Sequence, residues 1–259
     1  MKKAYVDIPE GQIHYRTEGS GRPLLMLHES PTSSITYSRV IPILARRFRV
    51  IAMDTMGYGN SDPPETTYEV ADYARTIAHF LDAMELKQVS IVGHHTGSVL
   101  AIEFAVSFPH RVDKLVLSGL VVPTEPEKVE ELRNSPRYRF GGMDEEGQFI
   151  LDRWKTYRGL CSPGADVEGW YQIFVDILRP GAHTFDGHQA IFRHDTMSRL
   201  PLIKSSTLVL HGTNDVVLGD ANKLRSLIPD VRTSTIEGGG VFVAFEMPEA
   251  FAKPILDFV

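Results

Sequence analysis

Val89-Ser90-Ile91-Val92-Gly93-His94-His95-Thr96-Gly97-Ser98-Val99-Leu100 is the stretch that decides the fold. Its opening residues form a nearly continuous apolar run, as expected of a central parallel strand covered on both faces. Gly93-His94-His95-Thr96-Gly97 then links that strand to a helix expected over residues 96–108. Working outward, the same alternation recurs. Strands are predicted at residues 4–8, 12–17, 24–27, 49–53, 88–92, 114–118, 206–210 and 231–236. Helices are predicted at 35–46, 69–84, 96–108, 221–227 and 248–257, the last opening on a proline, which the first helical turn tolerates. The first two strands alternate in hydrophobicity and join through Pro9-Glu10-Gly11, as in a hairpin. Short strands interleaved with helices indicate an α/β sheet protein.

From about Pro123 to Leu202 the strands stop. Helical pieces are expected at 125–132, 145–157, 167–178 and 185–200, punctuated by Pro163-Gly164 and Pro180-Gly181. An insertion between two strands of one sheet reads as a lid over a site. The expected division is therefore 1–122 and 203–259 for the core and 123–202 for the lid.

Composition mainly excludes. The 259 residues suffice for a large core without staples, and the single cysteine, Cys161, rules out an internal disulfide scaffold or a Cys-rich zinc module. A net charge of −6 argues against nucleic acid or an anionic membrane as partner. Arg133, Arg137 and Arg139 are diffuse, fitting a solvated lid face better than a phosphate site. Lys2 and Lys3 precede no apolar run, and nothing approaches the ~20 apolar residues of a membrane span. The expectation is a soluble, cytoplasmic protein whose partner is a small-molecule substrate. The oligomeric state is open, a homodimer included.

Five segments then fall in a recognisable order. Leu27-His28-Glu29-Ser30-Pro31-Thr32-Ser33-Ser34 follows the third strand, and Asp54-Thr55-Met56-Gly57-Tyr58-Gly59-Asn60-Ser61-Asp62 the fourth. Gly93 to Gly97 follows the fifth, His211-Gly212-Thr213-Asn214-Asp215 the seventh, and the last strand ends in Ile236-Glu237-Gly238-Gly239-Gly240-Val241-Phe242. Together these resemble the α/β-hydrolase superfamily, in its lid-bearing, haloalkane-dehalogenase-like and esterase-like branch, over nearly the whole chain. The resemblance implies an eight-stranded, mostly parallel sheet with flanking helices and a helical lid before the seventh strand. It also implies a nucleophile between the elbow glycines, an acid after the seventh strand and a histidine after the last strand. Here the elbow carries His95, the acid position Asp215, and the histidine position Val241. Glu246, Pro248, Glu249 and Phe251 continue the family pattern, so the register holds.

A serine-esterase mechanism cannot be assembled from these residues, nor can dehalogenation through an aspartyl ester. Ser98 lies inside the helix and does not reach the elbow position. A large side chain at 95 and a small one at 241 would let the imidazole lean toward Asp215. The result would be a His–Asp dyad with a raised histidine pKa and one ring nitrogen facing the pocket. The alternative is a histidine filling an abandoned pocket. By position, the backbone amides of Ser30 and Thr96 would form the oxyanion hole. Glu29 replaces the usual glycine there, either as a second pocket acid or as a solvent-facing or structural side chain. His28 and His94 read as structural. His183, His188, His194 and Asp195 cluster in sequence, His188 and Asp195 a heptad apart on one expected helical face. No tight pair occurs, and neither a metal nor a cofactor is expected. The lid aromatics Trp154, Tyr157, Trp170, Tyr171 and Phe174 read as packing, with some roofing the pocket. Two functions follow. One is an enzyme acting on a small ester, lactone or ketone by His95/Asp215 acid–base chemistry, as a hydrolase or lyase without a serine acyl-enzyme. The other is a non-catalytic small-molecule receptor.

Overall fold

A computed structural model of the protein describes residues 1–120, 126–135, 138, 141–162, 164–215 and 221–259. Val121 to Glu125, Arg137, Arg139 and the expected lid start at Pro123 lie outside the described residues.

All eight predicted strands are present: β1 (Lys2–Ile8), β2 (Gly11–Glu18), β3 (Pro23–Leu27), β4 (Arg49–Met53), β5 (Val89–His94), β6 (Val112–Ser118), β7 (Ser206–Gly212) and β8 (Val231–Ile236). They form one sheet in the order β1-β2-β4-β3-β5-β6-β7-β8. β1 and β2 make the antiparallel hairpin, β2 pairs antiparallel with β4, and every other neighbour is parallel. The order turns back at β3, which lies between β4 and β5. In open α/β sheets the loops diverge at such a switch point, leaving a crevice beyond the carboxyl ends of the strands. The loops after β3 and β5 carry Glu29 and His95, so topology alone brings these two residues to one crevice.

The helices are α1 (Ile41–Leu44), α2 (Val70–Ala83), α3 (Thr96–Ser107), α4 (Pro126–Asn134), α5 (Gln148–Arg158), α6 (Val167–Leu178), α7 (Asp186–Arg193), α8 (Thr196–Arg199), α9 (Ala221–Leu227), α10 (Val243–Glu246) and α11 (Pro248–Phe258). Alternate strand residues feed two cores. Leu25 and Leu27 of β3 pack with α2 and α3, while Leu24 and Met26 pack with α1 and α11. α3 is buried around nearly its whole circumference because α2, α7 and α8 cover the side away from the sheet. A third cluster joins Trp170, Ile173 and Phe174 of α6 to Phe242 and Phe245 after β8.

Two helix predictions need correction. The single helix expected over 35–46 is a 3-10 turn, Ser34–Tyr37, followed by the short α1. Side chains from elsewhere organise this segment: Asp54 Oδ1 accepts the Ser34 amide at 2.9 Å, and Glu29 Oε1 accepts the Thr36 hydroxyl at 2.9 Å. The expected helix over 185–200 breaks into α7 and α8, because Asp195 accepts the Ser198 amide and starts a new helix. His188 and Asp195 therefore do not share a helical face.

The helical insertion between β6 and β7 is tied to the core by charge. Glu103 of α3, buried, accepts two bonds from Arg199 at 2.6 and 2.5 Å and faces His194 Nε2 at 3.1 Å. Losing Arg199 would strand the buried Glu103 carboxylate, which favours keeping the pair. No helix among the described residues is long and apolar enough to cross a membrane.

Candidate active site

β5 runs fully buried to His94, and the chain then reverses through His95, whose φ of 48° and ψ of −116° are strained for a side chain other than glycine. The surroundings fix this bend. The His95 amide donates to Ser118 O at 2.9 Å, and the Ser98 hydroxyl lies 2.8 and 2.9 Å from the carbonyls of Gly93 and Ser118. A methyl group at Gly93 would collide with the Gly97 backbone, and one at Gly97 with the carbonyl of Leu27. Both glycines are thus required by the approach of α3 to β5 and β3. The bend places His95 at the N-cap of α3, beyond the carboxyl end of β5.

The imidazole leans toward the turn after β7. Nε2 lies 3.0 Å from Asp215 Oδ2, and both residues are buried. Burial works against the imidazolium, but the Asp215 carboxylate, its hydrogen bond and the charge of Glu29 outweigh it, so the His95 pKa is raised. Among the described residues no hydrogen bond reaches Nδ1. Gly119 makes this contact sterically possible. It follows β6 with φ of +57°, and a methyl there would lie 2.6 Å from His95 Nε2 and 2.9 Å from Asp215 Oδ2. Sequence reasoning missed Gly119; its only signal was a glycine directly after a strand.

His94 is held differently. Its Nε2 donates to the Val241 carbonyl at 2.7 Å, so its Nδ1 accepts from Ser118 Oγ at 3.0 Å. Burial, reinforced by the neighbouring His95, lowers its pKa to about 3, and the ring is neutral. His28 is likewise committed: Nδ1 donates to Glu29 O at 3.0 Å, and Nε2 accepts from the Thr55 amide at 3.0 Å. Val241 is buried and packs with Trp170 and Phe242.

The oxyanion loop departs from expectation in two places. The Ser30 amide does not point to open space: it donates to Thr96 Oγ1 at 2.6 Å, and that hydroxyl lies 3.2 Å from Ser30 Oγ. A threonine at the first position of α3 is long enough to occupy the acceptor place an oxyanion would use. The Thr96 amide, in the first turn of α3, has no intrahelical acceptor. The solvent-facing alternative for Glu29 is overturned too, since the side chain is 2% exposed. Oε1 accepts from Thr36, while Oε2 is buried without a hydrogen-bond partner among the described residues. Burial pushes its carboxyl up to about 7 against the opposing pull of its backbone, His95, Thr36 and Thr32.

The helical insertion reaches this loop through Gly187, whose amide donates to Tyr58 Oη at 2.7 Å. A methyl at 187 would lie 2.5 Å from Ser30 Oγ, so α7 seats directly on the loop after β3. Gly187 was also missed. Tyr157, Trp170 and Phe174 are buried, and Tyr171 is exposed. The sequence cluster of histidines is dispersed: His183 faces Asp186, His194 faces Glu103, and His188 packs against Tyr138. Among the described residues no three His, Cys, Asp or Glu side chains converge as a metal site would need.

The strained elbow, the acid after β7 and the switch-point crevice are hydrolase features, and comparison with known proteins agrees. The model of the alpha/beta hydrolase fold family matches residues 22–248. The chain belongs to that family. An uncharacterized protein of Mycobacterium tuberculosis is 42% identical, the match covering 95% of this chain and 77% of the relative. A 2-hydroxy-6-oxo-2,4-heptadienoate hydrolase of Pseudomonas putida is 40% identical over 93% of this chain and 90% of its own length. Among solved structures, the enol-lactonase of Burkholderia xenovorans superposes with a TM-score of 0.76 at 20% identity, covering 98% of this chain and 99% of that one. At that identity the structural likeness speaks for the fold. As a member of the alpha/beta hydrolase fold family with hydrolases among its relatives, the protein is a hydrolase-family enzyme.

Proposed function

We propose that this enzyme acts on a small carbonyl compound by acid–base chemistry at His95, without a serine acyl-enzyme, Asp215 orienting the neutral ring and stabilising the imidazolium that forms when it takes a proton. The observation that carries the reading is the 3.0 Å contact between His95 Nε2 and Asp215 Oδ2, which commits one ring nitrogen and leaves the other for chemistry. An aspartate holding an imidazole in one orientation is the second half of a catalytic triad. Here the imidazole stands at the elbow itself, so it takes its proton from water or substrate rather than from a serine. In hydrolysis, Nδ1 removes a proton from water, the water oxygen bonds to the carbonyl carbon, and the proton passes to the leaving group as the carbonyl reforms. The Thr96 amide remains as a backbone donor for the developing negative charge. The helical insertion serves as a lid, with Gly187 closing it against Ser30.

The name of the 40%-identical relative makes an oxo acid a natural member of the substrate panel. A second reading, a non-catalytic receptor, draws on one specific observation: the Ser30 amide is occupied by Thr96. Mass spectrometry of the protein incubated with esters, lactones, β-dicarbonyls and oxo acids separates the two. Turnover abolished by His95→Ala supports the enzyme. Tight binding with no turnover across the panel supports the receptor.

A further inference from the structure

One group in the site has more chemistry than the His95–Asp215 reading uses. Glu29 follows β3 at the switch point of the sheet, and its carboxyl is buried with one oxygen tied to Thr36 and the other without a partner. Its backbone is immobilised: Glu29 O accepts from the Thr32 amide at 3.1 Å, the Thr32 hydroxyl at 2.8 Å and His28 Nδ1 at 3.0 Å. The titratable groups that sense it are His95 from the elbow and Tyr37 from the following 3-10 turn, with Asp215 coupled through His95. Buried carboxyl oxygens are normally hydrogen-bonded, and an orphan marks a place where another molecule completes the set. At the same loop, the Ser30 amide, which by family position would bind the oxyanion, is taken by Thr96.

We propose that Glu29 in its neutral form is the proton donor to the substrate oxygen on which charge develops, replacing the Ser30 amide. This rests on the acid–base reading of His95 and deepens it: the site then holds a base and an acid, and it selects substrates whose carbonyl oxygen accepts a proton as the bond to carbon forms. For a lactone, a water proton goes to His95 Nδ1 and the water oxygen bonds to the carbonyl carbon. The π electrons of the carbonyl move to its oxygen, which takes the proton of Glu29. On collapse that proton returns to the Glu29 carboxylate, the ring C–O bond breaks, and the leaving oxygen takes the proton held by His95. Water and lactone give the hydroxy acid, and both side chains are restored. Because burial holds the Glu29 carboxyl near 7, the donor form persists to neutral pH and is lost above it.

Two readouts on the full chain test this. The first needs no substrate: carbon NMR of protein labelled at the glutamate carboxyl, titrated from pH 4 to 9, with Glu29→Gln used for assignment. The expected result is one glutamate that ionises near neutrality and whose titration shifts the ring nitrogens of His95. A full set of glutamates ionising in the ordinary carboxylate range overturns the proposal, because Glu29 would then carry no proton to give, and this result stands even if the variant fails to fold. The second is pH-stat hydrolysis of δ-valerolactone and phenyl acetate. Glu29→Gln is expected to lower kcat at least tenfold, to leave KM within about twofold, and to remove the alkaline limb of the profile. If His95→Ala keeps full activity, the acid–base reading itself falls. If His95→Ala is inactive while Glu29→Gln keeps wild-type kcat and its alkaline limb, the Glu29 proposal alone falls. If neither probe is hydrolysed, the NMR titration decides.

Discussion

Among the described residues two buried histidine–aspartate contacts occur, and their surroundings set them apart. His14 Nδ1 lies 2.7 Å from Asp54 Oδ2, where β2 meets β4. Asp54 also accepts the amides of Ser34 at 2.9 Å and Asn60 at 3.0 Å, so both of its oxygens are satisfied by fixed donors. His95 and Asp215 are 3.0 Å apart, but this histidine sits on a strained backbone at a helix start, beside a carboxyl with an orphaned oxygen. The first pair staples the loop after β4 to the sheet. The second is held in place by strain, close packing at Gly119 and burial, and among the described residues no hydrogen bond reaches His95 Nδ1. A buried pair by itself is thus no sign of function. An unsatisfied neighbourhood on a strained scaffold is the better indicator.

Substitutions at the two pairs should separate along these lines. The largest effect is expected from His95→Ala, which removes the proposed base and should lower turnover by about 10³-fold or more, measured as kcat/KM on whichever panel compound reacts. Gly119→Ala comes next. Its methyl would occupy the space used by Nε2 and Oδ2, so the imidazole must swing away. Displacements near 1 Å cost about 10²-fold in rate, and steady-state kinetics with circular dichroism would distinguish misplacement from unfolding. His14→Ala should do the reverse. It removes the His14 hydrogen bond while the Ser34 and Asn60 amides still hold the Asp54 carboxylate, and should cost about 1.5–3 kcal/mol in urea denaturation, leaving kcat per folded molecule near wild type. A large kcat loss in the His14 variant would erase the distinction between the pairs.

The last effect concerns Glu29 and has a definite sign. Its folded pKa of about 7 lies above its unfolded value, so the protonated form is favoured by the fold. Stability is therefore highest below the unfolded pKa and falls as pH rises from there through about 7, by roughly 3 kcal/mol in all. Glu29→Gln keeps an acceptor for Thr36 and removes that dependence. Thermal melts should show the variant gaining on wild type above pH 7, with the gain vanishing toward pH 4.5.

How far these features could be read from sequence depends on the range of the interaction that makes them. Strands such as Arg49–Met53 and Val231–Ile236 were legible to the residue, because a strand's pattern is written in its own side chains. The placement of His95 between β5 and α3 was equally legible, because Gly93 and Gly97 flank it. The segment after Ser33 was misread as one helix because Asp54 and Glu29 from distant loops hold its amide and hydroxyl groups. Gly119, Gly187 and the capture of the Ser30 amide by Thr96 were invisible for the same reason. Each depends on two or three loops meeting at the carboxyl end of the sheet, and no local periodicity records that meeting.

The central claim is that Asp215 holds His95 and stabilises its imidazolium. Nitrogen NMR of the His95 ring across pH, in wild type and in Asp215→Asn, measures this without a substrate. Burial alone lowers the pKa of His95, and Asp215 is the main influence raising it. The wild-type ring should therefore titrate above its ordinary value of 6.5, and the variant's below that value. Equal titration of His95 in the two proteins would contradict the account.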